Sequence, residues 1–406
     1  MPKTRYGVSA WVHQFPSSRR PDYPRLRGDL PATVVIVGGG LTGCAIAYAC
    51  AQAGMKPVLV ERDRIGAASS GSGAGLLLPD PGPDFRHVAA AHGLRAARRV
   101  FEAWRGGARD GAALLRRLGV KCALEPLDVL VTTERDGEKL LRREFEARVN
   151  AGLDVSWRTA RQVKSGSNLD VSAALKLRDA FSFDPYRACV GLAAAAVKRG
   201  ARIFEKSSVR TIKTGRRDVE IVLETGSIRA GTVIVATGTP GPELKSLRRH
   251  FAAREVYFVL TEPLPAAMRR QLGDPSVAIR DTRTPPRRLR WTPDSWLVVG
   301  GGDQDQPPAR QHDAVLVQRT GDLMYGLLTM YPAISGLHPE YGWSASYGET
   351  ADGLMVIGSH RNYPRHLFAL GGSPHSATGA FLAARVLLRA LQGRPDKGDE
   401  FFNFAR

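Results

Sequence analysis

The stretch VVIVGGGLTGCAIAYACAQAGMKPVLVERD, residues 34–63, limits the possible fold of this chain more than any other. Residues 32–37 form a short apolar run rich in β-branched side chains, followed at once by Gly38-Gly39-Gly40-Leu41-Thr42-Gly43, so the pattern predicts a buried parallel strand entering a helix. In such a turn Gly38 permits the tight bend, Gly40 lets backbone approach a pyrophosphate, and Gly43 lets the helix lie close to the sheet. Small residues recur on one helical face at Gly43, Ala47 and Ala51, and Gly54 supplies a stop. Residues 57–60 predict a second strand ending at Glu61, about twenty residues past the fingerprint, where a carboxylate accepts from ribose hydroxyls and repels a 2′-phosphate. Leu41 and Thr42 at the helix start and Arg62 beside Glu61 join the predicted nucleotide contacts. The glycines alone would be weak evidence. With the strand before them, the helix after them and Glu61 in place, they predict a dinucleotide site rather than a purely structural turn, and both FAD and NAD present the required ADP half.

The chain of 406 residues is long enough for two domains, which can be interleaved in sequence. Its 43% hydrophobic and 24% charged residues describe a soluble globular enzyme. No apolar run reaches membrane-spanning length, and Arg19-Arg20 is followed by no apolar stretch that would make a signal, so a cytoplasmic location is expected. Cys44, Cys50, Cys122 and Cys189 lie scattered, as expected of reduced structural thiols, and no His/Cys/Asp cluster has metal spacing, so no metal is predicted. The net charge of +19 comes mostly from arginines spread along the chain and reads as a solvated basic surface. Its densest segment, residues 248–290, includes Arg249, Arg254, Arg269, Arg270, Arg280, Arg283, Arg287 and Arg288.

Further along, residues 65–75 are a loop of small residues that can wrap phosphates or approach a flat ring, a flexible linker being the alternative. Residues 200–204 and 208–212 read as paired short strands, and residues 232–238 as a strand ending in Ala-Thr-Gly. Residues 352–358 and 367–372 lead to Ser373-Pro-His-Ser-Ala-Thr-Gly379 and a closing helix over 380–391, a second glycine turn at a helix N-terminus and a second site for an anionic or electron-rich group. These segments, in this order and over nearly the whole chain, resemble the D-amino-acid oxidase-like (DAO) family of FAD-dependent oxidoreductases. The lead-in at residues 9–11 and 23–29 resembles the arm of its γ-glutamylputrescine oxidase branch.

The resemblance implies FAD, and since no anchoring Cys or His is evident the cofactor is expected to be held non-covalently. Val209 would meet the adenine through its backbone, and Ser69 and Ser70 would lie on the pyrophosphate side. Thr237 and Gly238 would close the nucleotide site, while Gly371, Gly372, Ser373, His375 and Ser376 would approach the isoalloxazine. The implied fold is α/β. It has a Rossmann-like FAD domain of the glutathione-reductase and DAO type over 31–80, 180–245 and 345–406, an arm over 1–30, and an interleaved mixed-sheet α+β substrate domain over 81–179 and 246–344. The first insertion has a helical pattern at 94–118, and the second has strand-like runs at 255–260 and 296–300.

The implied reaction is oxidation of a C–N bond in a small amine or amino-acid-like molecule. Hydride passes to flavin N5, the imine hydrolyses, and electrons leave to O2 or another carrier. Where amino-acid-oxidising members carry a carboxylate-clamping arginine before the Asp-Gly turn, this chain has Tyr347, which argues against a simple α-amino acid. Arg290 matches an arginine of the γ-glutamylputrescine oxidase branch and is a candidate for bidentate anion recognition, a structural ion pair being the alternative; Arg361 is a second candidate. His375, in Ser-Pro-His-Ser where the branch has Ser-Gly-His-Gly, is a candidate for tuning charge near the flavin. No lysine occurs between Lys245 and Lys397 to match the oxygen-activating lysine of sarcosine-oxidase-like members, which points to a dehydrogenase, a lysine from earlier in the chain in that role being the alternative. Two other readings stay open: a tRNA-modifying enzyme on the same fold, whose basic surface would bind phosphates, and a flavoprotein that has lost catalysis.

Overall fold

The computed structural model describes residues 3–406, with two mixed β-sheets at its centre. The eight-stranded sheet has the order Val356–His360, Tyr363–Leu370, Gly226–Gly238, Leu30–Val37, Val58–Val60, Arg202–Phe204, with the hairpin Val209–Thr214 and Val219–Leu223 attached through Gly226–Gly238. Its central strands are parallel. A parallel strand is buried on both faces, which explains the unbroken run from Val34 to Val37. Val34 and Ile36 face the helices Leu41–Gln52, Pro185–Val197 and Thr378–Leu391, whereas Val35 and Val37 face the hairpin side.

Residues 200–204 and 208–212 do not pair with each other as expected. Arg202–Phe204 extends the parallel sheet beside Val58–Val60, and Val209–Thr214 pairs antiparallel with Val219–Leu223. Between them Lys206 takes φ 50° and the buried Glu205 accepts from the amides of Ile65 and Tyr23, so the chain leaves one layer and enters another.

The ten-stranded sheet runs Arg5–Tyr6, Pro339–Glu349, Ala252–Thr261, Leu297–Asp305, Arg288–Trp291, Val277–Asp281, Glu125–Thr133, Ala173–Ser182, Leu76–Leu77, with Ser156–Thr159 on Ala173–Ser182. The expected run at 255–260 lies inside Ala252–Thr261, and that at 296–300 falls on Leu297–Asp305 from its second residue. The first insertion is not simply helical. Besides Leu94–Arg117 it supplies Glu125–Thr133 and most of Ala173–Ser182, whose Ala-rich sequence gives little β signal even though its side chains are buried between neighbours. One face of the sheet packs on the helix His312–Met330 through Tyr257, Leu289 and Val299. The other, carrying Val129, Ala278, Val298 and Trp343, packs against the arm at Ala10 and Trp11, the loop at Ala74, and Tyr186 of the helix Pro185–Val197. The N-terminal arm, whose residues 1 and 2 lie outside the described residues, adds the edge strand Arg5–Tyr6 in parallel to Pro339–Glu349. Among the described residues no helix is long and apolar enough to cross a membrane.

Candidate active site

A cleft of about 400 Å³ opens at the C-terminal ends of the parallel strands, where the strand order of such sheets leaves room for a ligand. Gly38, at φ 111°, makes the turn out of Leu30–Val37, and a Cβ there would stand 2.5 Å from the Ala236 carbonyl oxygen. A Cβ on Gly43 would stand 1.9 Å from the Gly38 carbonyl oxygen, so helix and turn approach as closely as backbone allows. The helix Leu41–Gln52 has no side-chain cap of its own on Gly40; instead the Ser70 hydroxyl accepts from the Leu41 amide at 2.8 Å, which sets Ser70 over the helix N-terminus. Glu61 accepts from the Gly39 amide at 2.6 Å and from Asp63 at 2.9 Å, and each oxygen keeps a lone pair for a further donor.

Gly38, Gly40, Leu41, Thr42, Glu61, Arg62, Ser69, Ser70, Val209, Thr237, Gly238, Gly371, Gly372, Ser373 and Ser376 all line the cleft. Gly43 does not, since its part is helix–sheet contact. His375 does not either: the turn offers Pro374 and Ser376 to the cleft, while the imidazole points to the ten-stranded sheet. Trp104, which the sequence did not single out, also lines the cleft, and its buried indole N–H has no acceptor among the described residues. The signal for it was weak, one aromatic inside a helix that otherwise reads as core.

The loop after Ser70 is held from behind by four donors on four consecutive carbonyls. Ser9 Oγ donates to Gly71, Trp343 Nε1 to Ser72, Trp11 Nε1 to Gly73 and Arg290 Nε to Ala74, at 2.5, 2.9, 3.0 and 2.7 Å. The arm, through Ser9 and Trp11, is thus part of the site's scaffold. Arg290 was expected to clamp an anion or to form an ion pair, and it does neither. It is 2% exposed, its remaining donors reach the Trp291 and Phe183 carbonyls, and its guanidinium lies 5.0 Å from the Trp11 ring centroid. Burial pushes its pKa down to about 10, which leaves it charged at neutral pH. Arg361 is also corrected: it is exposed in the turn between Val356–His360 and Tyr363–Leu370, at the end of the sheet away from Gly238 and Leu370, roughly 25 Å along an eight-residue strand.

Tyr347 and His375 meet on a residue the sequence reading missed. Asp303 Oδ1 accepts from the Tyr347 hydroxyl and from His375 Nε2, each at 2.8 Å. A carboxylate cannot donate, so Nε2 carries the imidazole proton, and Nδ1 is left without a partner among the described residues. Burial opposes the charge on Asp303, but His375, Arg288 and Tyr347 together hold its carboxyl well below the usual carboxylate range. Burial, then the Asp303 charge, pushes Tyr347 well above the usual phenol range. Burial, with the Arg288 charge beside it, lowers His375 in spite of Asp303, so the ring is neutral at neutral pH.

Next to this trio lies a second, smaller cavity of about 20 Å³, walled by Leu76, Val129, Val131, Leu177 and Ala278, with Arg280 and Arg288 turned into it. The segment 73–81 borders both spaces: Gly73, Gly75 and Pro81 line the cleft, and Leu76, Leu78, Pro79 and Asp80 line the smaller cavity. Arg288, which lines this cavity, stands two residues before Arg290 on one strand and therefore on the same face.

The sequence profile of the family described as FAD dependent oxidoreductase (DAO) matches residues 33–390. A γ-glutamylputrescine oxidoreductase of Escherichia coli is 25% identical over 388 residues, covering 94% of this chain and 88% of that protein. A glycine oxidase of Bacillus licheniformis is 24% identical over 382 residues, covering 89% and 94%. Among solved structures, a glycine oxidase from Geobacillus kaustophilus superposes with a TM-score of 0.73 at 18% identity, covering 91% of this chain and 96% of that one. The glycine turn, the cleft along the parallel strands and this match across most of the sequence lead to one conclusion: the chain belongs to the DAO family of FAD-dependent oxidoreductases.

Proposed function

We propose that this protein oxidises the C–N bond of a small amine or amino-acid-like donor. FAD, when bound, takes up the hydride from the carbon beside the nitrogen, and the amine is left as an imine that water converts to a carbonyl compound and free amine or ammonia. The reading is carried by one observation: the long cleft reaches the turn 371–376, and the segment 73–81 borders both it and a smaller cavity on the ten-stranded sheet. A dinucleotide can lie along the first, and a small substrate can reach in from the second.

The residues present fit FAD. Gly38 and Gly43 leave no room for a Cβ, the start of the helix Leu41–Gln52 lines the cleft with Ser70 over it, and the Trp104 N–H is buried without an acceptor among the described residues. In this reading Glu61 accepts from the ribose, Val209 borders the adenine, Ser70 and the helix start hold the pyrophosphate, and residues 371–376 border the ring. The four-carbonyl clasp keeps the loop 71–74 in place, and His375, fixed by Asp303, holds the turn 373–376 that borders the cleft.

The relatives named for γ-glutamylputrescine and for glycine support an amine donor. The nucleic-acid reading gains little from the basic segment. Arg280 and Arg288 point into the inner cavity, Arg254 bridges Asp305 and Glu349, and Arg287 is held by Asp281. The test is anaerobic mixing of the FAD-loaded protein with amines and N-substituted amino acids, followed by admission of oxygen. Bleaching of the flavin by at least one of them is expected, with carbonyl product in the quench; a flavin that no amine reduces, under conditions where dithionite does, overturns the reading.

A further inference from the structure

The helix Leu94–Arg117 docks on the helix Thr378–Leu391 through two glycines. A Cβ added at Gly107 would stand 3.3 Å from Leu382 Cβ and from Thr378 Cγ2, and one at Gly111 would stand 2.6 Å from the Phe381 ring. Residues three and four apart share a helix face, so Trp104 lies on the same stripe, one turn ahead of Gly107. Where the glycines bring the two backbones together, Trp104 reaches the start of the partner helix: a Cβ at Gly379 would lie 3.2 Å from its Cη2 and 3.5 Å from its Cζ2. Ser376, Ala377, Gly379 and Ala380, the first residues of that helix and its lead-in, line the cleft together with Trp104.

Packing explains an aromatic ring at this position but not an indole. Trp104 is 4% exposed, and its Nε1 is buried without an acceptor among the described residues. Met355 Sδ, the other side-chain atom against Gly379, does not serve as one. A buried indole N–H ordinarily finds a partner, because a bare one has given up its hydration without return. Trp11 and Trp343 follow that rule, donating to Gly73 and Ser72 at 3.0 and 2.9 Å. Phenylalanine would fill the space at Trp104 without a stranded donor. Within an indole the N–H borders Cζ2, so the edge that carries it is the one turned toward Gly379 and the cleft. The turn 371–376, which borders the flavin ring in the proposed reading, runs directly into Gly379. Trp104 therefore stands at the ring end of the cleft and not at the adenine end beside Val209.

We propose that Trp104 is a cofactor-binding residue whose indole N–H donates to a carbonyl oxygen of the isoalloxazine when FAD is bound. The inference needs FAD, which membership of the family supplies, and it is independent of the amine donor. A donor at a ring carbonyl favours the electron-rich reduced ring, so the same contact holds the cofactor and raises its midpoint potential. It also gives the helix Leu94–Arg117, which belongs to the first insertion, a part in the cofactor site.

The experiment compares wild type with Trp104→Phe, which keeps an aromatic ring against Gly379 and removes the donor. FAD is titrated into both apoproteins, the midpoint potential of the bound flavin is measured against reference dyes, and both apoproteins are melted. Trp104→Phe is expected to weaken FAD by about two- to twelve-fold, the range for one hydrogen bond between neutral groups. The midpoint potential should fall. The apoprotein should melt at the same temperature as the parent or higher, since the stranded donor is gone. Equal FAD affinity in the two proteins overturns the proposal. An apoprotein that melts lower shows that the N–H already has a partner inside the protein, and this also overturns it. Weaker FAD with an unchanged potential overturns the assignment to a ring carbonyl.

If Trp104→Phe does not fold, wild type alone carries the test with 2-thio-FAD and 4-thio-FAD, in which sulfur, a poorer acceptor, replaces one ring carbonyl oxygen. Weaker binding of one of these than of FAD is expected, and equal binding of all three overturns the proposal. Every readout is taken without substrate, so a protein that oxidises no amine still gives the answer.

Discussion

His375 donates from Nε2 to Asp303 Oδ1 across 2.8 Å, and this bond ties the turn beside the cofactor cleft to the sheet that faces it. Both side chains are more than nine-tenths buried, and Tyr347 shares the same oxygen. The Arg288 charge also helps to hold the Asp303 carboxyl low. Replacing Asp303 with asparagine removes a charge that favours the buried Arg288 and weakens the acceptor of both hydrogen bonds. Breaking such a pair costs about 3 kcal/mol. Asp303→Asn is therefore expected to lower unfolding free energy in urea by about that much, and to slow flavin reduction as well. A variant as stable as the parent sinks the idea that this carboxylate anchors the two halves of the site.

The same bond sets an acid limit on stability. Burial and the Arg288 charge lower the folded-state pKa of His375 below its ordinary value near 6.5. The unfolded chain then binds the proton more readily, so the stability contributed by the neutral ring is fully present above about pH 6.5 and is lost as pH falls toward the folded pKa. Asp303, depressed in the folded state, adds its own loss only in stronger acid, below about pH 4. Melting temperatures from pH 8 to pH 5 should fall in wild type and fall less in His375→Gln. The difference between the two curves is the measurement, because the buried His366 also has a lowered pKa and contributes to both. Parallel curves count against a neutral His375.

Arg290 is a positioning residue, because its donors end on the carbonyls of Ala74, Trp291 and Phe183. Hydrogen bonds from a charged donor are worth about 1.5–3 kcal/mol each, and burying the charge offsets part of that. Arg290→Gln should destabilise the protein by about 2–3 kcal/mol and loosen the loop 71–74, which would show as faster loss of FAD on dilution. The KM for the amine should stay near that of the parent once the flavin site is saturated. A large rise in KM with normal FAD affinity would return Arg290 to substrate binding.

The nucleotide half was legible because its signals are local. A strand, a glycine turn and a small-residue helix face lie within thirty contiguous residues, and steric need fixes which positions are glycine. The substrate side was less so. Arg288 and Arg290 share a strand face, and alternation cannot say which of them ends in a cavity and which behind a loop. Asp303 gave no signal at all, since its partners are 44 and 72 residues away in sequence. The arm was legible as an arm, but its role depends on Ser9 and Trp11 reaching a loop 62 residues further along, a relation that only the folded chain contains.

Oxygen reactivity is the next expectation. No lysine lines the cleft or the smaller cavity, and none occurs between residues 245 and 397. Without a cation of that kind beside the ring, electron transfer to dissolved oxygen should be slow, and turnover with a dye acceptor such as dichlorophenolindophenol should be clearly faster than in air-saturated buffer. Stopped-flow reoxidation of the reduced protein gives the comparison directly. Equal rates with dye and oxygen would make it an oxidase.

Gly40 and Gly43 separate the two uses of glycine in the opening turn. At Gly43 an added Cβ meets the Gly38 carbonyl oxygen at 1.9 Å, a backbone atom that cannot yield without moving the helix or the turn. At Gly40 it meets the Ser70 hydroxyl at 2.8 Å, the end of a side chain that can rotate, although the rotation gives up the bond to the Leu41 amide. Gly43→Ala should therefore cost stability even without cofactor, by about 1–3 kcal/mol as for other overpacked contacts. Gly40→Ala should leave the apoprotein's melting temperature nearly unchanged and weaken FAD, because Ser70 no longer sits over the helix start. Apoprotein melting and FAD titration of both variants test the distinction, and equal losses on both measures would mean that the two glycines do one job.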